Sequence, residues 1–309
     1  GAMGKCLLKN TKILMADGSL KNVQDVKIGD QVMGPDSTPR NVVDLHSGIS
    51  PMYRIDQERA ESYTVTDDHI LTLVCTENKK NGDGKTISST YTKGKLIDIG
   101  LQDYLKSSKQ FKNLFKGVST GVEFLEKEIP MDAYVFGLWI GDGNGKGNRL
   151  GLTTMDDVIR DAWSKYWTDK GCDIVKTDQK NNKSSVYYVR GAGTIGKVMP
   201  YGLKDGEKTI PECYRVNSRD VRLNVLAGFI DTDGYAQGPG YGFIQKNKDV
   251  AESIAFIARS LGFTVTIQEC KKKCGNNGVW GTYHRGHISG DCSVIPCRLK
   301  KCDARKVDV

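Results

Sequence analysis

From Cys6 to about Thr76, apolar and polar residues alternate in short runs, and each run ends in turn-forming residues. Thr11 to Met15 alternates and meets Ala16-Asp17-Gly18-Ser19; Val23 to Ile28 stops at Gly29-Asp30; Gln31 to Met33 stops at Gly34-Pro35-Asp36-Ser37. Met52 to Ile55, Ser62 to Thr66 and Ile70 to Cys75 continue the pattern. Period-two alternation bounded by Gly, Pro and Asp predicts strands joined by hairpins. No part of this stretch carries the 3.6-residue period of a helix. It is read as all-β. A polar, glycine-containing loop follows from Asn78 to Lys85, and Leu101 to Phe115 is predicted helical, with Leu101, Tyr104, Leu105 and Phe111 as apolar members.

Beyond Pro130 the pattern changes. Ala133 to Ile140 is an apolar run ending in Gly141-Asp142-Gly143, and helical stretches then alternate with strands. A domain boundary is placed near Glu128–Met131, giving one domain over 1–130 and a second over 131–309. The second half repeats itself at an offset of 91 residues: Gly137 to Gly143 matches Gly228 to Gly234, Gly151-Leu-Thr matches Gly242-Phe-Ile, and Lys170-Gly171-Cys172 matches Leu261-Gly262-Phe263. Both copies carry a helical stretch between these points, Asp157–Trp167 and Val250–Leu261, and Tyr188-Val-Arg190-Gly191 is set opposite His284-Arg285-Gly286. Each copy closes on Ile-Pro, at Ile210-Pro211 and Ile295-Pro296. Several anchors in one order indicate a duplication. Each unit, about 134–211 and 225–300, reads helix–strands–helix–strands, so a pseudo-two-fold domain is expected.

Composition narrows the class. A chain of 309 residues with 38% hydrophobic and 27% charged residues is neither disordered nor fibrous, and its length suits two domains. No apolar run reaches the roughly 18 residues of a membrane helix and no secretory signal opens the chain, so an intracellular protein without membrane partners is expected. The first four residues, Gly1 to Gly4, read as a cloning remnant. Nine cysteines, an odd number, argue for free thiols rather than a complete disulfide framework. The net charge of +8 is concentrated: nine lysines against four acids lie between Leu71 and Lys116, and nine Lys or Arg against three acids between Thr266 and Lys306. Two basic segments suit a polyanionic partner; solvated basic loops account for them equally well.

Each repeat opens with an apolar helix whose last turn carries an aspartate beside glycine, Asp142 and Asp233. Gly137, Gly141 and Gly228 are small enough to let two helix backbones approach closely. If the helices pack along the pseudo-dyad, the two carboxylates emerge side by side, where they ionise together only with a cation between them. Oxygen-only ligation suits Mg²⁺, and paired acids with Mg²⁺ suit phosphodiester hydrolysis by metal-assisted attack of water. Either motif alone reads equally as an apolar helix ended by an Asp-Gly turn; the duplication favours a site.

Leu226-Ala-Gly-Phe-Ile-Asp-Thr-Asp233-Gly234 resembles the signature of LAGLIDADG homing endonucleases, and Val135 to Gly143 resembles its first copy. The resemblance covers roughly Pro130 to Lys301. It implies that Asp142 and Asp233 bind the metals, that the strands form a saddle over double-stranded DNA, and that both strands are cut across the minor groove with a stagger. Lys208 stands where this family often carries a lysine that polarises the scissile phosphate or the water; the matching residue of the second repeat is Ser293, which implies unequal or slow cutting. Arg190, Arg285, Lys271 and Lys273 are the candidate DNA contacts on the saddle strands.

Cys6 to Ser19, with Val23 to Asp30, resembles the opening of an intein, and Thr64-Val-Thr66-Asp-Asp-His69 resembles its second block, of the form Thr-x-x-His. Nuclease-bearing inteins of fungal and viral genes combine both domains. The resemblance implies an N-to-S acyl shift by Cys6 at the Lys5–Cys6 bond, with His69 protonating the leaving nitrogen and Thr66 polarising the bond. Read separately, Cys6 is an incidental thiol and His69 a strand histidine. Splicing ends on a terminal His-Asn pair, yet the last histidine is His287, the last asparagine Asn277, and the sequence stops at Val309. Complete cis-splicing is therefore not expected: the chain is either cut short or the N-terminal part of a split intein whose C-terminal fragment is a partner. Alternatives to an active nuclease are a decayed, DNA-binding remnant on such a trans-splicing fragment, and a DNA-binding module without catalysis.

Cys270, Cys274, His284, His287, Cys292, Cys297 and Cys302 crowd one segment, and a zinc site or a hairpin of Phe263–Lys273 and Val279–Ser289 with incidental thiols are both compatible with them. The expected fold class is α+β and multidomain, an incomplete all-β Hint-type splicing domain joined to a pseudo-two-fold αββαββ endonuclease domain.

Overall fold

The computed structural model describes residues 6–78, 91–144, 150–179, 183–191, 203–204, 207–273, 278–300 and 302. Gly1 to Gly4, Lys5, the loop from 79 to 85, Cys274, the turn residues 275–277, Lys301 and the segment 303–309 lie outside them. The chain divides into two units, Gly1–Thr120 and Gly121–Val309.

The first unit is built from short antiparallel pairs. β1 (Lys12–Leu14) pairs with β2 (Leu20–Asn22), β3 (Gln31–Met33) with β4 (Pro39–Asn41), and β5 (Met52–Ile55) with β6 (Tyr63–Thr66). β7 (Ile70–Cys75) lies between β8 (Leu96–Gly100) and β9 (Phe115–Gly117). The turn after β1 works because Gly18 takes a φ of +83° and the Asp17 carboxylate accepts from Ser19 N at 2.9 Å. Alternation along β7 turns Leu71, Leu73 and Cys75 inward, onto a small core with Val65, Leu101 and Phe115. The predicted helix over Leu101–Phe115 is two: α1 (Leu101–Lys106) and α2 (Lys109–Leu114). The serines break it. Ser107 Oγ donates to the carbonyl of Asp103 at 2.9 Å, and Ser108 Oγ caps α2 by accepting from Phe111 N at 3.2 Å.

The second unit confirms the duplication. α3 (Ala133–Asp142) leads into β10 (Gly143–Asn144) and β11 (Gly151–Thr154), then α4 (Asp157–Thr168), β12 (Asp173–Asp178) and β13 (Ser185–Arg190). After the β14–β15 pair (Leu203–Lys204, Glu207–Lys208) and the turn α5 (Glu212–Arg215), the order recurs. It runs α6 (Arg219–Asp233), β16 (Gly234–Gln237), β17 (Gly240–Gln245), α7 (Lys248–Ser260), β18 (Thr264–Lys273) and β19 (Trp280–Ser289). The two sheets share one strand order, β10-β11-β13-β12 and β16-β17-β19-β18.

Register corrects one match drawn from sequence. Gly151 pairs with Tyr188 and Gly242 with His287. Tyr188 therefore corresponds to His287 and Arg190 to Ser289, not to Arg285, whose counterpart is Val186. The shared Arg-Gly dipeptide had pulled the two strands out of step, because the second hairpin has strands of ten residues where the first has six.

α3 and α6 lie against each other along glycine. A Cβ on Gly228 would overlap the carbonyl oxygen of Tyr134, and one on Gly137 would overlap that of Val225. Around this crossing the core gathers Phe136, Leu138, Trp139, Leu226, Phe229 and Ile230, all at most 1% exposed. A buried arginine closes the far end. Arg222, fully buried, donates to Asn217 O at 2.8 Å, Ser260 O at 2.9 Å, Ser260 Oγ at 2.7 Å and Val122 O at 2.7 Å. Its guanidinium also lies 4.8 Å from the Phe124 ring, so the strap before α3 is held on this unit from residue 122, ahead of the 128–131 stretch where the sequence changes character. Burial holds the Arg222 pKa down to about 10, in the charged state nonetheless. Arg222→Met strands four acceptors, and a loss of ~3–5 kcal/mol is expected in urea unfolding followed by tryptophan fluorescence; a loss below ~1 kcal/mol would show the network to be dispensable.

Candidate active site

Asp142 is the last residue of α3 and Asp233 the last of α6, so the close helix crossing delivers both carboxylates to one end. Each helix end also receives a lysine. Lys208, on β15, donates from Nζ to the carbonyls of Ile140 and Gly141, at 2.9 Å each. Lys300 donates from Nζ to the carbonyl of Thr232 at 2.6 Å, and Thr232 is the residue that matches Gly141 in the repeat. Lysine at a helix C-terminus satisfies carbonyls that have no partner within the helix and opposes the negative end of its dipole. Gln245 Nε2 donates to Asp233 Oδ2 at 2.9 Å. Asn247 fixes the strand carrying Lys208, donating from Nδ2 to Lys208 O at 2.8 Å while its Oδ1 caps α7 at Val250 N.

Lys300 is the residue that sequence reasoning missed. Matching the Ile-Pro steps pointed to Ser293, but Ser293 is exposed and its Oγ donates to Asp291 Oδ1 at 2.5 Å. The spacing held the signal: Lys208 follows Asp142 by 66 residues and Lys300 follows Asp233 by 67. The expectation of a site with one lysine is corrected accordingly.

The electrostatics follow from burial. Burial pushes the Asp142 carboxyl up to about 6, the charge of Asp233 adds to this, and Lys208 and Lys300 oppose it. Asp233 is raised by burial as well, held back by Lys208, Lys300 and the bond from Gln245. Burial pushes the Lys208 ammonium down to about 8, against the pull of Asp233 and Asp142. Two neighbouring carboxylates that resist ionisation suit a hard cation, which would restore both charges. Among the described residues no group of three or more His, Cys, Asp or Glu side chains could hold a metal. A cation here would therefore rest on the two aspartates, with water and phosphate oxygens completing its shell. The same observation leaves the cysteine-rich segment without a converging set among the described residues.

The saddle candidates separate by face. On β19 Arg285 is exposed and alternates with the buried His284 and Gly286, so it lies on the sheet face away from α7, as does Lys272 of β18. Lys271 and Lys273 are exposed but share the face of Val265. Arg190 is exposed at the end of β13, paired with Asp173. The other groups are in the first unit. His69 N donates to Thr66 O at 3.2 Å, closing a turn, and Thr66 N donates to Cys6 O at 3.2 Å, which ties the Cys6 segment to that turn. Thr66 is buried and its Oγ1 donates to Asp68 at 2.6 Å.

Two helices meeting on glycine, each ending in an aspartate and each followed by a four-stranded antiparallel sheet of the same order, define a LAGLIDADG-type domain. The LAGLIDADG-like domain family matches residues 220–299, and the Hom_end-associated Hint family matches residues 6–129. The chain thus carries a Hint-type intein domain followed by a LAGLIDADG domain. Over 97 residues, 28% of this chain, it is 36% identical to the catalytic subunit of the V-type proton ATPase of Candida tropicalis, 9% of whose length is covered. It is 22% identical to the homothallic switching endonuclease of Saccharomyces cerevisiae over 84% of this chain and 64% of that protein. The chain thus spans less than two thirds of either relative. A mesophilic variant of the homing endonuclease I-DmoI overlays on 52% of the chain and 88% of its own, with a TM-score of 0.38 and 18% identity. No helix among the described residues is long and apolar enough to cross a membrane.

Proposed function

We propose that this protein is an intein-derived, site-specific DNA endonuclease that needs a divalent cation, with Mg²⁺ the expected one, joined to a Hint-type splicing domain. The observation that carries the reading is the half-buried pair Asp142 and Asp233 with Lys208 and Lys300 at the same two helix ends. The switching endonuclease among the relatives supports it.

Asp142 and Asp233 hold the cation, which when bound supplies Lewis acidity at a phosphate oxygen and an activated water. The lysines place a positive charge where each strand's pentacovalent phosphate gains negative charge, and fixed charges in a buried site act strongly. Pseudo-symmetry assigns one lysine to each strand, and a second lysine beside the acids supports an active nuclease over the decayed reading. Arg285, Arg190 and Lys272 steer the duplex backbone, whereas Lys271 and Lys273 share the sheet face of Val265 and are not assigned to it. In the first unit Cys6 is the nucleophile of the acyl shift, its thiolate attacking the carbonyl of the preceding residue; His69 gives the proton to the departing nitrogen and Thr66 positions the bond.

The lysine assignment has a strand-resolved test. On an end-labelled duplex that joins the coding sequences flanking this protein's own, Lys208→Met slows cutting of one strand by ~10²-fold and Lys300→Met slows the other, as loss of one transition-state contact does. Equal slowing of both strands by either change would contradict the assignment.

A further inference from the structure

Asp231 stands two residues before Asp233 and is 1% exposed. It accepts four hydrogen bonds. Tyr134 Oη and the backbone N of Arg298 donate to Oδ2 at 2.8 and 2.7 Å, and the backbone N of Leu299 and of Lys300 donate to Oδ1 at 3.1 and 2.8 Å. Three successive backbone N–H groups converging on one anion form a nest, and here the anion is the protein's own side chain. The carbonyl of Lys300 is held too: it accepts from Tyr241 Oη at 2.9 Å, and that hydroxyl in turn accepts from Cys302 N at 3.1 Å. The backbone of Lys300 is thereby fixed on both sides, and only its side-chain torsions remain before Nζ reaches Thr232 O.

Lys208 has no such device. The residue matching Asp231 in the first repeat is Ile140, and the backbone of Lys208 is held instead by Asn247. We propose that Asp231 is a positioning residue: it sets the ammonium of Lys300 at the end of α6 beside the paired acids, and so governs the half of the site that serves one DNA strand. This rests on the endonuclease reading for its consequence, but the positioning itself is a property of the free protein. A carboxylate that merely stabilised the core would affect both halves alike.

Asp231→Asn is isosteric, yet it turns an amide N–H toward two donors. Tyr134→Phe removes one of the four bonds and carries the test if the first variant unfolds. Trace labelling of lysines with acetic anhydride, without DNA, reads Lys300 against Lys208 by peptide mass spectrometry. Lys300 should label about tenfold faster in Asp231→Asn and about threefold faster in Tyr134→Phe, the range that loss of such bonds carries, with Lys208 unchanged. In strand-resolved cutting, Asp231→Asn should slow the same strand as Lys300→Met, and the double variant should cut that strand no slower than Lys300→Met alone. Labelling that rises at both lysines or at neither would falsify the proposal, and so would equal slowing of both strands. A wild-type protein that never nicks DNA removes the endonuclease reading, while the labelling still decides whether Asp231 holds Lys300.

Discussion

Asp142→Asn or Asp233→Asn lowers the cutting rate by at least ~10³-fold, the scale of several kcal/mol of cation-borne stabilisation, and leaves duplex affinity within ~3-fold. The same substitution stabilises the metal-free protein. Burial and the neighbouring acid raise the folded-state pKa of Asp142 from 3.8 to about 6. A carboxyl raised in this way contributes stability that is fully present below its unfolded pKa and is lost as pH rises through about 6. Asparagine keeps the uncharged form at every pH. At pH 7, Asp142→Asn should therefore be ~2–3 kcal/mol more stable than the parent, an advantage that fades as pH falls toward 4. Thermal melts across that range check it. A variant that stays active, or that is destabilised at pH 7, would remove Asp142 from the site described.

Gly228→Ala has the second large effect, on the fold itself. An added methyl group meets the carbonyl oxygen of Tyr134 and presses on Leu138 N at 2.8 Å and Gly137 C at 3.0 Å. These are backbone atoms of α3, which cannot rotate aside as a flexible side chain would. Either the two helices separate, opening the core around Phe136 and Phe229, or the crossing twists and Asp142 and Asp233 part. A cost of ~3 kcal/mol or more is expected. All four tryptophans, Trp139, Trp163, Trp167 and Trp280, belong to the second unit, and the first three are at most 1% exposed. Near-ultraviolet circular dichroism follows that unit directly. A cooperative transition at the parental midpoint would show that the backbones tolerate the methyl group.

How far the sequence reached depended on the range of the interactions involved. Asp142, Asp233 and the glycines were legible because a duplicated motif reports its own symmetry, and period-two alternation marked β1, β5, β6 and β7. The split between α1 and α2 was hidden, since serine hydroxyls that cap and interrupt a helix look like ordinary polar positions in an amphipathic stretch. The pairing of Tyr188 with Gly151 was lost to a dipeptide match, because strand register is set by partners distant in the chain. Lys300 went unseen for the same reason: what defines it is the end of α6, 67 residues upstream of it. Asp231 had no signal beyond its place in the motif, since three of its four donors are backbone N–H groups that any residue supplies and the fourth, Tyr134, lies 97 residues upstream.

Whether the paired acids make a nuclease is decided by single-turnover cutting, by the unaltered chain, of the duplex that joins this protein's flanking coding sequences. Double-strand breaks are expected with Mg²⁺ and none with a chelator. Tight binding without a nick on either strand, at any Mg²⁺ concentration, would contradict the endonuclease reading.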